Sequence, residues 1–125
     1  MRTFLLICLA LLVLAACSPV PVQPPPGTGI EGQVFIGPAC PVVQVGEPCP
    51  DQPYQATLVV LDTQGREVTR FQTDVDEKFR VTLGPGTYTL APESANAMQH
   101  ASRQDFNVVT GQYTRLRVTY DSGIR

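Results

Sequence analysis

The chain has a single histidine, only nine lysines and arginines against eleven acids, and no segment that keeps helical spacing for three turns. Each shortage excludes something. Nothing in this balance is basic enough to suggest nucleic acid as a partner, since a phosphate backbone demands a Lys/Arg patch. One histidine cannot supply the paired imidazoles that many metal centres use, and no Gly-x-Ser-x-Gly elbow is present to expose a serine nucleophile. His100, Ser102 and Asp105 lie close in sequence, but proximity in a loop is not a triad, and they read as solvated polar side chains. The composition therefore predicts no enzyme, no cofactor and no metal site.

The longest apolar run is also short. Phe4 to Ala16 carries thirteen residues without a polar side chain, behind the positive charge of Arg2. Crossing a bilayer takes roughly 20 such residues, so the run reads as an export-signal core and not as a membrane span. It ends on Leu14-Ala15-Ala16-Cys17, with the small residues that a signal peptidase accepts. This stretch closely resembles the lipobox of bacterial lipoproteins, whose cysteine is alkylated by diacylglycerol before cleavage makes it the new N-terminus. The resemblance implies a signal peptide over residues 1–16, palmitate-type acylation of Cys17, and membrane lipid as a partner through that residue. Two acyl chains suffice for durable anchoring. Ser18, in place of an aspartate, resembles the outer-membrane sorting pattern of two-membrane bacteria. The expected location is the cell envelope, with the payload outside the cytoplasm.

Residues 17–29 then read Cys-Ser-Pro-Val-Pro-Val-Gln-Pro-Pro-Pro-Gly-Thr-Gly. Proline fixes φ and favours extended backbone, so this is a semi-rigid tether. Residues 30–125 are left for one small domain.

That domain alternates with period two between turn residues. Strands are predicted at Ile30–Ile36, Gln55–Asp62, Glu67–Thr73, Lys78–Leu83, Thr87–Ala91, Gln104–Thr110 and Tyr113–Tyr120. Gln55–Asp62 is apolar on both faces at its centre and reads as a central strand. Asp62-Thr63-Gln64-Gly65 and the acidic run Asp74 to Glu77 are turns, Gly84-Pro85-Gly86 forces a reversal with a type II turn, and Gly111 joins the last two strands as a hairpin. The expected fold is all-β: an antiparallel Greek-key sandwich of about seven strands. Arg115 and Arg117, alternating with Leu116 and Val118, read as the wet face of the last strand and a guard against edge pairing.

Several of these segments share a known signature. Thr73-Asp74, then Phe79-Arg80-Val81-Thr82-Leu83, then Pro85-Gly86-Thr87-Tyr88-Thr89-Leu90 resembles the T-D-x-x-G-x-F…L-x-P-G-x-Y-x-L pattern of carboxypeptidase regulatory-like domains, with Ile30–Ile36 matching the family's G-x-V strand and Val59–Gly65 its V-x-D-x-x-G turn. The resemblance implies a transthyretin (prealbumin)-like sandwich. Glu77 stands where the family has glycine, so avoidance of positive φ predicts a re-formed loop there. Phe79, Val81 and Leu83 on one strand and Tyr88 and Leu90 on its expected partner would supply half the core.

With Cys8 in the signal and Cys17 lipidated, Cys40 and Cys49 remain. Outside the cytoplasm they are expected to pair. Zinc is the rival, but tetrahedral zinc wants four ligands and the chain offers these two plus His100. Asp74, Asp76 and Glu77 could gather calcium only without the glycine-bearing oxygen-rich loop that such sites use. The closed loop is rich in proline, and its Val42, Val43, Val45 and Pro48 are the predicted contact surface for an envelope protein or glycan; its other reading is a plug for one end of the sandwich. Two functions stay open: a non-catalytic binding or structural module displayed at a membrane, and a transthyretin-like carrier or accessory domain of an envelope peptidase.

Overall fold

The computed structural model describes residues 23–40, 46, 49–94 and 96–124. The signal peptide, Cys17, and Val42, Val43, Val45 and Pro48 lie outside the described residues. Within them every regular element is a strand: β1 Gly29–Gly37, β2 Gln52–Pro53, β3 Thr57–Leu61, β4 Glu67–Gln72, β5 Lys78–Thr82, β6 Gly86–Pro92, β7 Gln104–Val108 and β8 Tyr113–Asp121. Two four-stranded sheets result. In the first, β1 is central, with β5 and then β2 along one edge and β8 along the other. In the second the order is β4-β3-β6-β7, so the doubly apolar segment around Val59 is an inner strand as its composition predicts.

The alternation places one set of side chains between the sheets. Ile30, Val34, Phe79, Val118 and Tyr120 come from the first sheet, and Leu58, Val60, Leu90, Phe106 and Val108 from the second. Ile30, Val34, Leu58, Val60, Leu90 and Tyr120 are fully buried. The rings of Phe71 and Phe79 meet across the interface at 5.4 Å. Val59, on the opposite face of β3, is also buried, beside Arg70 and Ala91 in register.

Three features of the chain path differ from expectation. First, β7 and β8 form no hairpin: β7 pairs with β6 in the second sheet, while β8 crosses to the first and runs parallel to β1 over its whole length, Gly29 opposite Tyr113 through Gly37 opposite Asp121. All other pairings are antiparallel. Alternation fixes which face a side chain takes but not which neighbour its strand finds. Second, β5 and β6 belong to opposite sheets, so Phe79 and Leu83 enter the core from across Leu90 and not from a paired strand. Gly86 has the positive φ expected of it, but at 153° it lies far from the φ near +80° of a type II turn. The Tyr88 hydroxyl turns back to donate to the Gly84 carbonyl at 2.7 Å, holding this corner.

Third, Glu77 does not avoid positive φ. It adopts φ 59°, a left-handed conformation that glycine would take without strain. Its amide donates to the Asp74 carbonyl at 3.1 Å, its carbonyl accepts from the Val34 amide at 3.0 Å, and its carboxylate accepts from the Thr73 hydroxyl at 2.9 Å. These bonds over-determine the conformation.

Candidate functional site

The outer face of the first sheet gathers side chains that are scattered in sequence. On β1, Glu31, Gln33 and Phe35 alternate with the buried Ile30 and Val34 and therefore point away from the core. By the same parity β5 presents Lys78 and Arg80, and β8 presents Tyr113, Arg115 and Arg117. The register then sets them in rows. Arg80, Glu31 and Arg115 stand side by side across β5, β1 and β8, and Lys78, Gln33 and Arg117 form the next row. Strand spacing makes the cations of one row about 10 Å apart, and the pleat separates the rows by about 7 Å.

The two sides of the array are held in place. Arg80 donates to one Glu31 oxygen at 2.7 and 3.1 Å, and Arg115 approaches the other at 3.6 Å. The hydrogen bond from Arg80 holds the Glu31 carboxyl below the ordinary carboxylate range; partial burial opposes this, while the charges of Arg80 and Arg115 reinforce it. Glu31 in turn raises Arg80, so both stay ionised. The Arg80 guanidinium also lies over the Tyr113 ring at 4.7 Å. Arg117 covers the Phe35 ring at 3.8 Å and reaches Asp51 at 3.5 Å. The cations protrude, Arg115 being 90% exposed, whereas Glu31 is sunk at 25%. An open pocket of about 630 Å³ on this face has Glu31, Gln33, Lys78, Arg80, Arg115 and Asp74 among its lining residues.

This face was only half readable beforehand. Basic residues two apart at Lys78 and Arg80, and at Arg115 and Arg117, are a sequence signal for a wet strand face. Nothing in the spacing says that β1 stands between them.

The other predicted positions have structural uses. Cys40 and Cys49 are joined by a disulfide, their Cα atoms 6.1 Å apart, which decides against a zinc pair. The Asp74 carboxylate accepts from the amides of Asp76 and Lys78 at 2.8 and 3.0 Å, and Glu77 is engaged by Thr73, so these carboxylates cap their own loop. His100 forms a backbone bridge to Asp121, its carbonyl accepting from the Asp121 amide at 2.8 Å. Asp105, on the outer face of β7, accepts from the Thr89 hydroxyl at 2.7 Å, and Ser102 is exposed between them in the chain.

No family model and no curated protein matches the chain. Among solved structures, the Bacillus anthracis TIE protein is similar in fold, with a TM-score of 0.54 at 19% identity over 75% of this chain. The matched region is 17% of that protein's own length, and at this identity the likeness is one of architecture.

Proposed function

We propose that the chain is a lipid-anchored envelope protein whose sandwich, of the carboxypeptidase regulatory-like kind, is a non-catalytic binding module that presents the outer face of its first sheet. The observation that carries the binding part is the double row of protruding cations set around Glu31 and Gln33 on that face. The interior is filled by Ile30, Leu58, Leu90, Tyr120 and their neighbours, which favours recognition at the surface over carriage of a small molecule inside the sandwich.

The anchor rests on sequence. An apolar core ends in Leu-Ala-Ala-Cys17, and a proline-rich tether follows. The Cys40–Cys49 bond is consistent with an oxidising compartment and leaves Cys17 as the remaining thiol beyond the signal core. Metabolic labelling with palmitate tests it: the native chain takes up label and pellets with membranes, and Cys17→Ser does neither. An unlabelled native chain, or a Cys17→Ser chain still in the pellet, would overturn the anchor.

A further inference from the structure

The chain is acidic as a whole, yet one of its faces is not. Four of its nine bases, Lys78, Arg80, Arg115 and Arg117, stand on the outer face of the first sheet, against Glu31 and the marginal Asp51 and Asp74. Beyond the signal segment, the rest of the chain carries four bases against eight acids. The excess of positive charge is therefore confined to these two rows, where an approaching anion meets the most favourable field. Resting on the binding-module reading above, we infer that the face is a docking site for a linear acidic glycan, one that carries carboxylates along its chain.

The shape and the side chains select this occupant. The pocket among these side chains is a concavity that a flexible polymer can enter and a flat bilayer cannot. The large exposed apolar side chains of the described surface, Val68, Val75, Met98, Val109 and Ile124, all lie off β1, β5 and β8, and the two rings on the face, Phe35 and Tyr113, are partly buried and lie under Arg117 and Arg80, an arrangement unsuited to insertion among lipid tails. The guanidiniums of Arg80 and Arg117 are braced on the Tyr113 and Phe35 rings, which limits the entropy lost when they take up a carboxylate. Between the cations, Gln33 and Glu31 bring an amide and a carboxylate of the kind that sugar hydroxyls bond. Gln33 is itself held by donation to the Asp76 carbonyl at 3.1 Å. Rows about 7 Å apart on both sides of β1 allow successive carboxylates of an extended chain to be met in turn.

The test uses the full chain in a non-ionic detergent, with polygalacturonate as the acidic polymer and dextran as the neutral one. Polygalacturonate should bind with an affinity that falls as salt rises, and dextran should not bind. Lys78→Gln and Arg115→Gln should each weaken binding about fivefold and together about twentyfold, while Arg115→Lys and Arg103→Gln, the latter beside β7 in the other sheet, stay within about twofold. Circular dichroism on each variant separates lost binding from lost fold, and if the double variant unfolds the contrast between Arg115→Gln and Arg115→Lys still decides. Failure of polygalacturonate to bind, or binding unchanged in Arg115→Gln, would overturn the inference. So would micelles doped with phosphatidylglycerol that strip the polymer from the protein, since they would assign the face to lipid headgroups. Palmitate labelling is independent of this outcome, so an anchored chain blind to the polymer loses only the glycan, and a polymer-binding chain without label loses only the anchor.

Discussion

Glu77 stands in its loop where Gly65 stands in the loop before it. Each is the third residue after an aspartate, each has positive φ, 59° and 79°, and each donates its amide to that aspartate's carbonyl at 3.1 Å. The matching continues around them. The Asp62 carboxylate accepts from the amides of Gln64 and Arg66, and the Asp74 carboxylate from those of Asp76 and Lys78. Asp62 and Asp74 each close the loop by donating to the carbonyl four residues on. One device thus turns β3 into β4 within a sheet and carries β4 to β5 between sheets.

What glycine supplies at residue 65 by having no Cβ, glutamate at residue 77 supplies with strain offset by the Thr73 hydrogen bond. Left-handed backbone costs a non-glycine residue about 1 kcal/mol. The hydroxyl–carboxylate bond contributes a similar amount. Glu77→Gly should therefore stay close to the native stability in urea unfolding. Glu77→Ala keeps the strain, loses the bond, and should be less stable than Glu77→Gly by about 1 kcal/mol. Equal midpoints for the glycine and alanine variants would show that residue 77 is unstrained.

The Asp62–Gly65 loop was legible because an Asp-x-x-Gly pattern encodes its own hydrogen bonds, whereas the conformation at Glu77, which lacks the glycine, was not; the strands were legible because apolar residues repeat every second position. Seven of the eight strands follow from that repeat. The missing one, β2, is two residues long, too short to show a period. Partnership was not legible. Gly111 and its neighbours turn the chain, but the turn says nothing about whether Tyr113 onward folds back on β7 or crosses the interface to β1. The candidate face inherits this blindness, since Arg115 was readable as exposed while its place beside Glu31 depends on the parallel β1–β8 pairing.

Gly32 is where that pairing is most sensitive. It lies opposite both Phe79 and Leu116, and a Cβ there would run into the Leu116 carbonyl of β8 and the edge of the Phe79 ring. Backbone is the obstacle, so the clash cannot be relieved by one side chain turning away. Gly32→Ala should cost about 2–3 kcal/mol and lower the urea midpoint. It should also weaken polygalacturonate binding, because it separates Arg115 from Glu31. A native-like midpoint would mean that β8 is not seated as described.

The disulfide closes a loop of about ten residues, for which the chain-entropy model gives about 2.5–3 kcal/mol. Replacing both Cys40 and Cys49 by serine should lower stability by up to that amount, with the same loss when the native chain is reduced. The fold should survive, since the core comes from other elements. Reduction that leaves the thermal midpoint unmoved would indicate that the loop is already ordered when open.

Tyr120 ties stability to alkaline pH. Its ring is fully buried, it meets Tyr54 at 4.9 Å, and its hydroxyl donates to the Glu93 carbonyl at the end of the second sheet. Burial, with a smaller contribution from Tyr54, pushes its pKa up to about 12 from an ordinary value of 10.0. Above pH 10 the unfolded chain releases this proton while the folded chain retains it, so the unfolded state binds fewer protons and stability falls as pH rises. The loss should build between pH 10 and 12 to about 2 kcal/mol. Tyr120→Phe should be less stable at neutral pH by about 1 kcal/mol, through the lost hydrogen bond, and should lose this component of the alkaline decline. Urea unfolding of both chains at pH 8 and pH 11 makes the comparison, and slopes that match between them would place the alkaline transition on another group.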